Sequence, residues 1–236
     1  MTDLSNFPIT RRWPAAYPDR IQLYSLPTPN GIKVAAALEE TGLPYEAHRV
    51  DFSTNDQKSA EFLSLNPNGK IPAIIDPNGP GGRPIGLFES GAILLYLADK
   101  TGKLLSSDPG TRWETIAWLF FQMGGVGPMF GQFGYFNNFA GKEIEDRRPR
   151  QRYLDETRRL LSVLDGRLAG RDFIAGDAYS IADIATWPWV RALDTAYQGT
   201  EILGLDEFGH VGAWLDRCME RPASKRGLSI PAKPQA

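Results

Sequence analysis

Cys218 is the only cysteine in a chain of 236 residues, and that scarcity removes several chemistries at once. One thiol forms no intrachain disulfide, no Cys-x-x-Cys redox pair and no cysteine-based zinc site. Thiol chemistry carried out repeatedly would need a thiol supplied from outside. Histidine is nearly as scarce: His48 and His210 stand apart, and neither reads as a metal ligand. Long apolar runs are missing too. The longest nearly unbroken one, residues 92–98, is far below the roughly 20 residues that a membrane-spanning helix requires. Neither sign of charge is in excess: the net charge is −2, so no long-range field would gather nucleic acid or an anionic membrane. Small neutral or zwitterionic ligands fit that balance better. Residues 1–20 mix Asp3, Arg11, Arg12 and three prolines without an apolar stretch of signal-peptide length. They read as an N-terminal arm on a cytoplasmic protein.

What is present is enough for real cores, since 42% of the residues are hydrophobic and the length holds one large domain or two ordinary ones. Over residues 21–102, short apolar stretches alternate with helical periodicity, the mark of βα units. Strands are expected at 21–25, 45–50, 73–76 and 85–88. Helices are expected from Asn30-Gly31 to Gly42, around 60–65 and from Ser90 to about Thr101. Residues 77–84 are so rich in Pro and Gly that they form a turn. The order β-α-β-α-β-β-α suits a thioredoxin-like sheet, an α/β domain.

After Gly102 the strand signals stop. Residues 111–130 carry aromatic and aliphatic side chains on a helical repeat. Leu154, Leu161, Leu164 and Leu168 mark a long amphipathic helix. Ser180-Ile181-Ala182-Asp183 reads as a capping box, and Pro188 inside the helix that follows should kink it. Val211, Trp214, Leu215, Cys218 and Met219 form a last apolar stripe, which makes Cys218 a buried, unreactive thiol. Residues 111–225 therefore read as an all-helical domain, joined to the first by a linker at 103–110.

On the residues alone, several positions carry two readings. Thr28 and Asn30 lie at a strand-to-helix turn, where free amides point outward and favour an anion. They serve either as turn residue and helix cap or as two donors to that anion, with Ser25 a weaker hydroxyl candidate. Glu89-Ser90 is a helix cap or an anion contact, and Ile71-Pro72 reads as a strand boundary. Arg147, Arg148, Arg150 and Arg152 stand beside Glu143, Glu145 and Asp146, as at a solvated helix end. Gly124, Gly125, Gly127 and Gly131 read as close helix packing rather than a phosphate cradle, for no Gly-Lys-Ser follows.

Four segments in this order resemble the glutathione transferases: residues 23–31 with Pro27-Thr28-Pro29-Asn30-Gly31, residues 66–73 with Gly69-Lys70-Ile71-Pro72, residues 88–97 with Glu89-Ser90, and Ser180-Ile181-Ala182-Asp183. The similarity covers residues 21 to about 222. Within that superfamily the Pro-Thr-Pro-Asn-Gly turn and residues 124–129 resemble the bacterial nu class, whose members reduce disulfide bonds. The resemblance implies glutathione as cosubstrate, no metal, and two glutathiones or one glutathione disulfide per site. Thr28 and Asn30 would hold the thiolate. Pro72 would be the family's cis-proline, exposing the Ile71 backbone to pair with the cysteinyl part, Glu89 and Ser90 would meet the γ-glutamyl end, and Lys70 and Gln57 the glycyl carboxylate. Arg152 would reach glutathione across a homodimer, and Gln132 would stand near an open pocket mouth. The partner substrate would be a small disulfide, electrophile or peroxide. The other implied reading is a non-catalytic glutathione-binding regulatory or stress protein of the same fold, against which the joint presence of Thr28, Asn30, Lys70, Glu89 and Ser90 argues.

Overall fold

The computed structural model describes residues 4–233, which fall into two units: residues up to Thr101 together with those from Pro222 onward, and Gly102–Arg221. In the first unit the chain runs through β1 (Ile21–Ser25), α1 (Pro29–Thr41), β2 (Tyr45–Arg49), α2 (Ala60–Leu65), β3 (Ala73–Asp76), β4 (Ile85–Phe88) and α3 (Ser90–Thr101). The sheet order is β2-β1-β3-β4, with β1 parallel to β2 and β3 antiparallel to both its neighbours. This is the thioredoxin-like arrangement expected from the alternating pattern. Every residue of β1 and β3 is buried, as befits central strands covered on both faces.

Local chemistry sets the ends of α1. Thr28 is its N-cap, Pro29 occupies the first helical position where a missing N–H costs nothing, and Gly42 closes it in the left-handed region at φ 75°. The cap is thus Thr28, two residues earlier than an Asn30 cap would be. Residues Gly31 to Leu38 are all buried, so α1 is covered on every side.

The core beneath the sheet joins Tyr24, Val50, Phe62, Leu65 and Ile75 to Leu4 and Ile9 from the N-terminal segment. Ile9 is fully buried, a contribution of about 1.5–3 kcal/mol. Trp13 meets Tyr24 edge-on at 5.9 Å and donates from Nε1 to the Arg49 carbonyl at 3.0 Å. Arg12 pairs with Asp56. The segment that reads as an arm therefore covers part of this core.

The second unit contains α4 (Pro109–Phe121), α5 (Gly127–Asn138), α6 (Arg148–Leu168), α7 (Ile181–Thr195), α8 (Thr200–Leu203) and α9 (Gly209–Glu220). A π-helical turn, Gln122–Val126, links α4 to α5. The glycines there permit close packing: a Cβ on Gly131 would lie 3.4 Å from the Trp189 ring and one on Gly134 2.5 Å from Tyr197. The capping box at Ser180 is present, and α7 runs on through Pro188. Asp183 is buried and accepts from the Ile174 amide, the Ser180 amide and hydroxyl, and Trp214 Nε1, each at 2.9 Å. That carboxylate ties α7 to α9. Cys218 is fully buried on α9 with Val211 and Trp214. The chain then returns to the first unit as α10 (Pro222–Gly227), where a Cβ on Gly227 would stand 3.0 Å from the Ala36 nitrogen, and Arg226 pairs with Glu39.

Candidate active site

Sheet register decides which candidate residues meet. Tyr24 of β1 and Phe88 of β4 both pair with Ala73 of β3, in antiparallel register. The residues one step beyond, Ser25, Pro72 and Glu89, therefore lie at the same end of the sheet. Helix α1 begins just after β1 and α3 just after β4, so two helix N-termini open at that end as well. Their outward amides and partial positive charge favour an anion there.

The turn into α1 is tightly determined. Thr28 Oγ1 accepts the Gly31 amide at 3.5 Å, which leaves its own O–H to donate elsewhere. Thr28 and Asn30 are both half-buried, whereas Ser25 is fully buried with Oγ 3.4 Å from the Leu26 carbonyl. The Ile71–Pro72 peptide is cis. Among these three candidates for holding an anion, Thr28 and Asn30 stand nearer solvent than Ser25.

At the neighbouring strand end Glu89 has φ 69°, a left-handed conformation that a side chain rarely adopts. Its carbonyl accepts the Ile93 amide at 3.0 Å, so Glu89 forms the first residue of the α3 cap while its side chain is exposed. Such backbone strain, worth about 1–3 kcal/mol, gathers at functional sites. Ser90 beside it is buried.

Gln57 lies in a short 3-10 turn, Asp56–Lys58, and its Oε1 is buried without a hydrogen-bond partner among the described residues. A Cβ on Gly69 would sit 3.1 Å from the Gln57 carbonyl and 2.8 Å from Lys58 Nζ, so this turn abuts the Asn66–Lys70 segment. Lys70 is exposed at the end of that segment, its carbonyl held by Asn66 Nδ2. Asp56 anchors the turn by accepting the Asp51 amide at 2.9 Å and pairing with Arg12.

Gln132 and Arg152 belong to the second unit. Gln132 is exposed on α5. Arg152 is exposed on α6 and lines a crevice of about 970 Å³ with Phe120, Phe121, Met129, Arg148 and Tyr153. Of the neighbouring arginines, Arg148 is taken up by Asp146 at 2.7 Å and Arg150 by Asn137 Oδ1 at 2.9 Å.

One charged residue escaped the sequence reading. Lys33 of α1 is 1% exposed, and its Nζ donates to Ser90 Oγ at 3.4 Å. Burial pulls its ammonium down to about 7, with Glu89 opposing that shift. The signal was a lysine inside Ile32-Lys33-Val34-Ala35, a run with no polar face. His48 serves elsewhere: it stacks on Tyr24 at 4.8 Å and lies 2.7 Å from Gln22 Oε1. Among the described residues no group of three or more His, Cys, Asp or Glu could hold a metal ion, and no helix is long and apolar enough to cross a membrane.

Comparison with known proteins bears on the same two segments. The family model for the glutathione S-transferase N-terminal domain matches residues 20–99, and that for the C-terminal domain matches residues 129–222. The chain is 46% identical to disulfide-bond oxidoreductase YfcG of Escherichia coli over 88% of its length and 94% of that protein's. It is 45% identical to disulfide-bond oxidoreductase YghU of the same organism, covering 89% of this chain and 74% of that one. A glutathione transferase from Burkholderia graminis, solved with two glutathione molecules bound per subunit, superposes with TM-score 0.97 at 64% identity, covering 98% of this chain and 96% of that one. One from Pseudomonas putida, solved with one glutathione disulfide bound per subunit, gives TM-score 0.96 at 61% identity, covering 98% of this chain and 100% of that one.

Proposed function

Because the chain belongs to the glutathione S-transferase family, we propose that it is a glutathione-dependent transferase that reduces disulfide bonds, with glutathione as thiol cosubstrate and no metal. The observation that supports this most is the gathering of Thr28, Asn30, Pro72, Glu89 and two helix N-termini at one end of the sheet. Glutathione is a tripeptide with an anion at each end and a thiol between them, and that end of the sheet has matching donors. The Thr28 hydroxyl and Asn30 amide donate to the thiolate and hold its pKa down. The Ile71 backbone pairs with the cysteinyl residue as an added strand. Glu89 meets the γ-glutamyl ammonium, Ser90 its carboxylate, and Lys70 with Gln57 the glycyl carboxylate.

The chemistry then needs no protein thiol. One glutathione thiolate attacks a substrate disulfide, forms a mixed disulfide and expels the first substrate thiolate. A second glutathione thiolate attacks the glutathione sulfur of that mixed disulfide and expels the other substrate thiolate. Two glutathiones and one disulfide become glutathione disulfide and two substrate thiols, after the thiolates take up the protons the glutathiones gave. The same thiolate can add to a small electrophile or reduce an organic peroxide. The cytoplasm, whose glutathione pool keeps thiols reduced, is where such a cycle runs.

We also propose a homodimer. Trp113 and Phe120 are 68% and 67% exposed on α4, and Tyr135 on α5 and Phe139 at its end are exposed as well, more aromatic surface than an isolated helical unit leaves to water. In that dimer Arg152 contributes to glutathione binding. Sedimentation at micromolar concentration should give twice the 26.2 kDa of the chain; a monomer would sink the dimer and the role of Arg152 with it.

The test of function is a coupled assay with glutathione, glutathione reductase and a small disulfide, read as nicotinamide oxidation. Turnover dependent on the protein is expected. Glutathione binding without turnover of disulfide, electrophile or peroxide would assign the chain to the non-catalytic reading.

A further inference from the structure

Helix α1 is buried from Gly31 to Leu38, and in such a place an apolar residue is the expected choice at every position. Lys33 departs from that. Its side chain is 1% exposed, and its amine ends 3.4 Å from Ser90 Oγ, in the first turn of α3 and next to Glu89. Burying an amine in this way is unfavourable unless a partner accepts its hydrogen bonds. One such partner is the Ser90 hydroxyl, at the end of the sheet where the two helix N-termini open.

Resting on the reading of Glu89 and Ser90 given above, we propose that Lys33 is a positioning residue for the γ-glutamyl end of glutathione: its amine donates to Ser90 Oγ and thereby directs the Ser90 hydroxyl proton toward the ligand carboxylate. A serine hydroxyl has one proton and two lone pairs. Once a lone pair accepts from Lys33, rotation about the Cβ–Oγ bond is restricted and the proton must point to another acceptor. The ligand then meets an oriented donor and does not have to order it. Lysine remains an N–H donor whether charged or neutral, so a side chain that titrates near 7 performs this role across the neutral range.

The role separates from simple packing by a cycle of two proteins and two ligands. The ligands are glutathione and 4-aminobutanoyl-cysteinylglycine, which lacks only the γ-glutamyl α-carboxylate. The proteins are the full-length wild type and Lys33→Met, which fills nearly the same volume without a donor. Lys33→Met should weaken glutathione binding about tenfold, since a hydrogen bond to a charged group contributes about 1.5–3 kcal/mol. Its affinity for the decarboxylated ligand should change less than about twofold, the mark of coupling between the lysine and the missing carboxylate. In turnover the loss should fall on KM for glutathione and leave kcat at saturation nearly unchanged. Lys33→Gln, which keeps an N–H donor, should retain most of the wild-type preference for the carboxylate and gives a readout even if the Met variant does not fold. Equal weakening of both ligands, or loss of that preference in a folded Gln variant, would overturn the positioning role alone. A wild type that binds no glutathione would overturn the reading of the site as well.

Discussion

Gly31 lies so close to the turn before it that a Cβ there would stand 1.9 Å from the Leu26 carbonyl oxygen and 2.5 Å from Ser25 Oγ. The Pro-Asn-Gly sequence is therefore a packing requirement of the turn that presents Thr28 and Asn30. Gly31→Ala must push that turn away from α1. Overpacking of this kind costs about 1–3 kcal/mol, and the displaced donors should lower turnover by more than the stability loss accounts for. Thermal unfolding and initial rates on the same preparation check this; a variant with wild-type rates would show that the turn position is not critical.

Glu89 offers the opposite test, because its backbone is strained and its side chain exposed. Glycine adopts φ 69° without steric cost. Glu89→Gly should thus be at least as stable as Glu89→Ala, while both lose glutathione affinity through the missing carboxylate. Calorimetric melting and ligand titration of the two variants decide it. A glycine variant less stable than the alanine one would mean that the left-handed backbone stores no strain.

Arg12 acts at a distance from the thiol. By pairing with Asp56 it steadies the short turn that carries Gln57, but its side chain is 41% exposed, so the pair contributes no more than about 1 kcal/mol. Arg12→Ala should raise KM for glutathione by no more than about fivefold and leave kcat unchanged. A fall in kcat would contradict a role confined to binding.

How much of this was legible in the sequence varied with the kind of signal. The strands and helices of the first unit, the glycine stop at Gly42 and the Ser180 capping box followed from periodicity and from side chains that bond their own backbone. Lys33 did not. A lysine within an apolar run was the one sign of it, but its partner Ser90 lies 57 positions away on α3 and only the fold brings the two together. The core role of Ile9 and Trp13 was hidden because their partners, Tyr24 and Phe62, lie on other elements. The return of Pro222–Gly227 to the first unit depends on Gly227 meeting Ala36, a contact across nearly the whole chain. Candidate residues could be named singly, but only the antiparallel register of β3 with β1 and β4 brings Pro72 and Glu89 beside Ser25.

Cys218 separates an internal thiol from an external one. It is fully buried on α9, so Cys218→Ser should place a hydroxyl in an apolar setting and cost about 1–3 kcal/mol of stability.

The most direct measurement is a pH-rate profile of glutathione-driven disulfide reduction for the wild type, Cys218→Ser, Asn30→Ala and the Thr28→Ala, Asn30→Ala double variant. A hydrogen bond to a thiolate contributes about 1.5–3 kcal/mol, or about one to two pKa units on the bound thiol. Removing the donors raises that pKa, so the variants should lose rate near neutral pH and recover part of it at higher pH, where the thiol ionises unaided. Cys218→Ser should keep the wild-type rate and profile while it remains folded. Collapse of turnover in folded Cys218→Ser, or full activity in the double variant at neutral pH, would contradict an external thiolate held by Thr28 and Asn30.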